Sequence, residues 1–351
     1  MKYGFTKNEL LELSWEKPIF AQIEITQNCN QTCIFCFKNC RADQVYQNLN
    51  QDQWKKVFLK LKNLGVQTLN FSGGECFVYP NFIDLVKWCK NAGFEIVINT
   101  NGTFDVREIQ DDVKEIIFSI HGLHQLHDKM VGLHGAFDMV EKNFSAINNK
   151  KEKASINMVV VEENFGQIYD VYHHFNSKFG LYKFSAQIAI ATSYGAESAQ
   201  YLTLDKENFN EYLSVLKKIP PKQLTLRHGM RIYLNDEGFY QSDLIQLPMC
   251  AGGKFKIIVE DDGKVYPCNF LKTEEFYCGN ILEEDEFNLW KIGKGFIRFR
   301  EFILKEKTEA KCKSCIKHDK CFAGCRVWAN KGGFDYECDK RCELGNAYVG
   351  N

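Results

Sequence analysis

The chain predicts an α/β fold: a parallel sheet with helices on its outside, followed by a second, cysteine-rich module. Two observations carry this. Strand-like and helix-like stretches alternate through the first two thirds of the 351 residues, and nine of the fifteen cysteines fall between Cys250 and Cys342. With 45% hydrophobic residues the chain can bury one large core and a smaller one. A formal net charge of -1 leaves no electrostatic footprint for nucleic acid. The N-terminus lacks the apolar core of a signal peptide, and no apolar run approaches the ~18 residues of a membrane span. The expectation is therefore a cytoplasmic protein with neither a nucleic-acid nor a membrane partner. In that reducing compartment its cysteines serve as metal ligands rather than disulfides.

The strand-like runs fall, in order, at residues 20–26, 68–71, 95–100, 115–120, 155–161 and 183–190, each with β-branched or alternating apolar content. Between them, residues 53–61 and 81–89 carry apolar side chains at helical spacing, and 150–153 reads as a solvated loop. Six βα units of this kind predict a parallel sheet. A helix over 205–218 is broken by Pro220-Pro221, so 205–249 reads as a bridge. Beyond it, residues 255–259 and 264–267 flank Glu260-Asp261-Asp262-Gly263 as a hairpin.

The first strand ends in Cys29-Asn30-Gln31-Thr32-Cys33-Ile34-Phe35-Cys36. Three thiolates in this run fit a 4Fe-4S cluster that needs four ligands, which leaves one iron for a small molecule. Structural zinc sites use paired C-x2-4-C units giving four ligands, whereas this run supplies three with unequal gaps. The second strand ends in Ser72-Gly73-Gly74-Glu75. C-x3-C-x2-C after a first strand and G-G-E after a second resemble the radical S-adenosylmethionine (SAM) enzymes, and Phe35 before the last cysteine also fits their pattern.

The resemblance implies a partial (β/α)6 TIM-like barrel with its site at the strands' C-terminal ends. It implies that Cys29, Cys33 and Cys36 hold the cluster and that SAM chelates the fourth iron. Gly73 and Gly74 are then expected to let the backbone approach the methionine, and Glu75 to meet its ammonium group. Cys76 departs from the proline many members carry there. Asn99 and Asn101, at the end of the third strand, are candidates for ribose or adenine, although an Asn-Gly turn by itself also accounts for Asn101-Gly102. Ser119 resembles the family serine that contacts SAM. Lys129-Met130-Val131 follow His127-Asp128 where relatives place an arginine, so that role has no candidate. His121, His124 and His127 are spaced by three, as imidazoles on one helix face would be, but the stretch already matches a loop of the family.

The C-terminal cysteines have their own signature: Cys250 and Cys268 around the hairpin, then Cys312-x2-Cys315-x5-Cys321-x3-Cys325, then Cys338 and Cys342. This order resembles the SPASM extension of radical SAM enzymes, an iron-sulfur domain with two auxiliary 4Fe-4S clusters. The family pattern implies that Cys250, Cys268 and Cys325 hold the first, with Cys278 a possible fourth ligand and an open iron the alternative. Cys312, Cys315, Cys321 and Cys342 would hold the second, Cys338 being the alternative or an added ligand. Cys40 and Cys89 show no ligand spacing and read as buried thiols. The domains expected are an N-terminal extension (1–18), the barrel (19–204), the bridge (205–249) and the SPASM domain (250–351).

The activity implied is reductive cleavage of SAM at one of three 4Fe-4S clusters, followed by oxidative modification of a leader-bearing precursor peptide. Flavodoxin or ferredoxin is the expected electron donor. Sulfatase-maturing members carry a base, an aspartate, directly after the second SPASM cysteine. Asn269 stands there and cannot take a proton, which favours crosslinking of a ribosomal peptide. A sulfatase-maturase-like or small-molecule-oxidising enzyme, and a non-catalytic iron-sulfur or zinc-binding module, remain as alternatives. No catalytic side chain is identified.

Overall fold

The structure, a computed structural model, describes residues 16–40, 42–190, 205–226 and 250–304, together with residues 325 and 327. Six parallel strands, β1 (Phe20–Glu24), β2 (Thr68–Ser72), β3 (Glu95–Thr100), β4 (Glu115–Ser119), β5 (Ala154–Val160) and β6 (Lys183–Ile188), pair in sequence order. Helices α1 (Gln51–Asn63), α2 (Phe82–Asn91), α3 (His124–Val131), α4 (Ala136–Ser145), the single turn α5 (Lys150–Lys153) and α6 (Ile168–Phe179) connect them. The expected solvated loop at 150–153 is thus a helical turn, begun by Asn149 in the left-handed region. Helix α7 (Lys206–Lys217) starts where Asp205 accepts a hydrogen bond from the Asn208 N–H, and it ends before Pro220.

Strand alternation decides what lies on each face of the sheet. Ala21, Ile23, Leu69, Phe71, Ile96, Ile98, Ile116, Phe118, Ile156, Met158, Phe184 and Ala186 belong to the main core with the helices. Trp54, Val57, Phe58 and Leu61 are the buried stripe of α1, whose start is closed by a capping box between Asn50 and Gln53. The alternate positions, Gln22, Glu24, Asn70, Asn99, Asn157 and Gln187, give the opposite face a polar wall. There the Gln22 amide donates to Glu24 (2.7 Å) and Asn99 to Asn70 (2.6 Å), and Gln187 bonds Asn157.

The sheet does not end at β1. Strand β7 (Lys256–Val259) pairs with β1 in parallel, and β8 (Lys264–Tyr266) and β9 (Gly279–Asn280) follow antiparallel, giving the order β6-β5-β4-β3-β2-β1-β7-β8-β9. The expected hairpin is therefore welded edge-on to the strand that carries the cysteine run. Helices α8 (Glu286–Ile292) and α9 (Lys294–Leu304) complete the described C-terminal part. No helix among the described residues is long and apolar enough to cross a membrane.

Candidate functional site

The three-cysteine loop rises from the C-terminal end of β1 and is pinned on both sides. The N–H groups of Thr32 and Ile34 donate to the carbonyls of Val131 and Met130 at the end of α3, each at 3.0 Å. On the other side the Asn28 side chain accepts from the Tyr46 N–H (2.7 Å) and donates to its carbonyl (3.0 Å). Cys29, Cys33 and Cys36 stay partly open, while Cys40 is buried. Burial pushes the Cys29 thiol up to about 12 and the Cys33 thiol well above its ordinary range, and neighbouring sulfurs add to both shifts. Cys36 is drawn down to about 6, chiefly by a hydrogen bond from the Cys40 thiol.

These residues fit an iron-sulfur cluster. Burial favours proton-bearing thiols at Cys29 and Cys33 in the metal-free loop, and iron bound there would take the place of those protons. No group of three or more His, Cys, Asp or Glu among the described residues converges on one ion-sized point. A cube needs no such point, since each thiolate binds a different iron. Gln31 is buried within the loop, and its Nε2 has no acceptor. Left unmet, such a donor costs about 1–3 kcal/mol, and an anionic cluster sulfur would supply the missing acceptor.

Gly73 and Gly74 lie against the base of the cysteine loop. A Cβ on Gly73, whose φ is 140°, would stand 2.3 Å from the Thr26 carbonyl oxygen, and one on Gly74 would stand 2.2 Å from that of Asn28. The Gly74 N–H donates to Thr26 (2.7 Å) and the Glu75 N–H to Asn28 (2.9 Å). The glycines thus let the end of β2 press onto the base of the cysteine loop.

Glu75 is fully buried and its carboxylate is already engaged. It accepts from the Thr100 hydroxyl (2.9 Å), the Asn101 N–H (2.6 Å) and the Phe77 N–H (3.2 Å). In this arrangement it ties the ends of β2 and β3 together. Burial raises it to about 7 against the lowering by those donors. Cys76, where a proline was expected from the family pattern, is buried and reaches the carbonyls of Ser72 and Asn99 (both 3.5 Å).

Asn101 links this strut to the cysteine loop, since its amide donates to Asn30 (2.7 Å) and its oxygen accepts from Thr103. Asn99 bonds Asn70 and the Phe71 carbonyl (2.9 Å). Ser119 closes β4, partly exposed, in register with Asn157. Phe35 packs edge-on against His121, with ring centroids 4.4 Å apart, and joins Met130 and Val161 in a small apolar cluster. The three histidines do not gather on one helix face. His121 precedes α3 and accepts from the Val159 N–H, and His127 accepts from the His121 N–H. Burial holds both neutral, His127 lowered to about 4. His124 instead packs on Phe137.

The second cysteine group forms on the far side of β1. Burial raises the Cys268 thiol to about 12, and the sulfurs of Cys250 and Cys325 contribute, so both lie within electrostatic reach of Cys268. Cys278 is not with them. Its thiol donates to the Phe276 carbonyl, touches the space a Cβ on Gly295 would fill, and faces Arg300, which lies over Trp290 and Phe296. The candidate fourth ligand is thus a core residue, held by apolar packing. Cys312, Cys315, Cys321, Cys338 and Cys342 lie outside the described residues.

Several residues at this seam escaped the sequence reading. Lys38, two residues past Cys36, pairs with Glu24 on the polar face of β1, both buried. Burial lowers Lys38 to about 8, with nearby Lys272 adding to the effect. Lys272, four residues past Cys268, pairs with Glu260, and Phe37 meets Phe270 at 5.0 Å. A carboxylate beside Gln22 at the alternating positions of a buried strand was the signal available for Glu24. Gln31 sat inside the run without one.

Residues 23–175 match the Radical SAM superfamily and residues 250–316 match SPASM, an iron-sulfur cluster-binding domain. The AdoMet-dependent heme synthase of Methanosarcina barkeri is 25% identical over 91% of this chain and 94% of its own. The mycofactocin maturase MftC of Mycolicibacterium smegmatis is 24% identical over 90% and 80%. SuiB of Streptococcus suis shares the fold: its structure with S-adenosylmethionine superposes with a TM-score of 0.74 at 19% identity, covering 93% and 78% of the two chains. SuiB bound to precursor peptide SuiA gives 0.73 at 19% identity, covering 93% and 76%. A cysteine loop clipped to a Gly-Gly turn on a parallel α/β sheet, continued by a cysteine-rich hairpin, agrees with both matches: the chain carries a radical SAM domain followed by a SPASM domain.

Proposed function

We propose that the chain reductively cleaves SAM and oxidatively modifies a ribosomally made peptide, forming a crosslink, thioether or carbon-carbon bond. When bound, a 4Fe-4S cluster and SAM supply a radical that removes hydrogen from an unactivated carbon, and two auxiliary clusters supply an outlet for the electron. Cys29, Cys33 and Cys36 would hold the first cluster. Phe35, Gly73, Gly74, Glu75, Asn99, Asn101 and Ser119 would line the space for SAM, with Gly73 and Gly74 also carrying the contact to the base of the cysteine loop. Cys250, Cys268 and Cys325 would hold one auxiliary cluster. Cys312, Cys315, Cys321 and Cys342 would hold the other, with Cys338 as the alternative to Cys342.

The observation that carries this reading is the parallel pairing of β1 with both β2 and β7. It joins the hairpin that carries Cys250 and Cys268 edge-on to the strand that leads into Cys29, Cys33 and Cys36. The peptide substrate is supported by the likeness to MftC, a maturase, and to SuiB, solved with its precursor peptide. The polar wall of Gln22, Glu24, Asn70, Asn99, Asn157 and Gln187 suits a peptide backbone or polar side chain better than a flat apolar macrocycle. A second reading, a small-molecule substrate, is favoured by the heme synthase, which matches along nearly its whole length. Flavodoxin or ferredoxin as electron donor and a cytoplasmic location belong to the same proposal.

The test is anaerobic incubation of reconstituted enzyme, under reducing conditions, with the short peptide encoded beside its gene. Formation of 5′-deoxyadenosine with a peptide lighter by two hydrogens is expected. Product formation from a porphyrin instead, with the peptide unchanged, selects the second reading.

A further inference from the structure

We propose that the Gln31 side-chain amide is a positioning residue of the three-cysteine loop that donates a hydrogen bond to cluster sulfur at Cys33 and raises the cluster's reduction potential. This rests on the reading that Cys29, Cys33 and Cys36 hold the SAM-binding cluster.

The three sulfurs are not equally served. Cys29 receives backbone N–H groups from Gln31 and Asn30. Cys36 receives the Cys40 thiol and the backbone N–H groups of Cys40, Lys38 and Asn39. Cys33 has only its own backbone N–H. Beside it lies Gln31, 2% exposed although it sits between two partly open cysteines. The Gln31 Oε1 is 3.6 Å from the Cys33 Sγ, which donates its proton to it, and Nε2 has no acceptor.

Ligation reverses the polarity of this contact. An iron-bound Cys33 is a thiolate with no proton to give, so Oε1 would face negative sulfur. Rotation of the amide by half a turn exchanges oxygen and nitrogen in nearly the same volume. A donor then stands where the acceptor stood, against the one sulfur of the three with the fewest donors. Hydrogen bonds to sulfur favour the more negative, reduced cluster and so raise its potential.

The experiment uses reconstituted full-length protein and the EPR signal that shifts on adding SAM, which separates this cluster from the auxiliary ones. Gln31→Met keeps the volume and removes the donor. At a fixed potential the ratio of reduced to oxidised cluster is expected to fall about tenfold, a shift of about 59 mV for one electron. Gln31→Glu, which places an anion there, is expected to fall further. In the wild-type protein, labelling the glutamine amide with 15N is expected to add a nitrogen hyperfine coupling to the same signal. That coupling decides the matter if Gln31→Met fails to assemble its cluster. An unchanged ratio in Gln31→Met at full iron content, or no amide coupling in the wild type, overturns the proposal. Persistence of the SAM-responsive signal after Cys29, Cys33 and Cys36 are all changed to alanine overturns the reading beneath it instead.

Discussion

The two cysteine groups attached to β1 and to its β7–β8 neighbours are assembled by opposite routes. Cys29, Cys33 and Cys36 lie within one short loop, so only a small closure brings them together, and backbone N–H groups of that loop already point at their sulfurs. Cys250, Cys268 and Cys325 come from three distant stretches, and bringing them together depends on the β1 to β7 pairing and the hairpin that follows. Closing longer loops costs more entropy, and the sheet supplies the contacts that offset it. The first group is therefore a local device held in place by its neighbours, and the second is a product of the whole fold.

The largest effect that tests this contrast is loss of iron. Changing Cys29, Cys33 and Cys36 together to alanine is expected to abolish 5′-deoxyadenosine formation and remove about four of roughly twelve irons per chain. Cys268→Ala should remove a similar number yet leave SAM cleavage intact. Iron and sulfide counting on both variants checks the independence of the two groups, and SAM cleavage lost with Cys268 would break it.

The seam between the groups comes next. Lys38→Met leaves Glu24 buried without its partner and is expected to cost about 3–5 kcal/mol in denaturant unfolding. Adding Glu24→Gln should restore most of it, and failure to do so would show that Lys38 acts through packing alone. Acid attacks only one side of the seam. His127, in the helix that holds the cysteine loop, is lowered to about 4 by burial from an ordinary 6.5. Its contribution is therefore fully present above pH 6.5 and is lost as pH falls toward 4, up to about 3 kcal/mol. Apo-protein stability followed over that range should drop, and His127→Phe should flatten the slope.

Two smaller effects sharpen the contrast. Gly74→Ala places a methyl group against the Asn28 carbonyl and is expected to cost about 1–3 kcal/mol. It should lower SAM-cluster occupancy while the auxiliary iron stays. Cys278→Ala should cost about 1 kcal/mol of core packing and leave the iron count unchanged. A drop of about four irons would instead make Cys278 a ligand.

Much of this arrangement was legible in the sequence because it is local. Alternating apolar residues marked all six barrel strands to within a residue or two, and the three-cysteine run and the Gly-Gly-Glu turn stood out by spacing. The reasons behind the residues were less legible. Spacing did not show that Gly73 and Gly74 also make room for the carbonyls of Thr26 and Asn28, a contact between two segments far apart in sequence. Nor did it show that Glu75 binds the end of β3.

The sequence by itself determined the chemistry available: thiolates at cluster spacing, glycines at a strand end, and a periodicity that permits only a helix-covered sheet. Tertiary structure alone decided which groups meet. It put β7 beside β1, joined Lys38 to Glu24, gathered Cys268 with Cys250 and Cys325, and left Cys278 in the core. The physical reason is one of range. Periodicity and spacing act over a few residues, whereas strand pairing and burial act between residues that only the folded chain brings together.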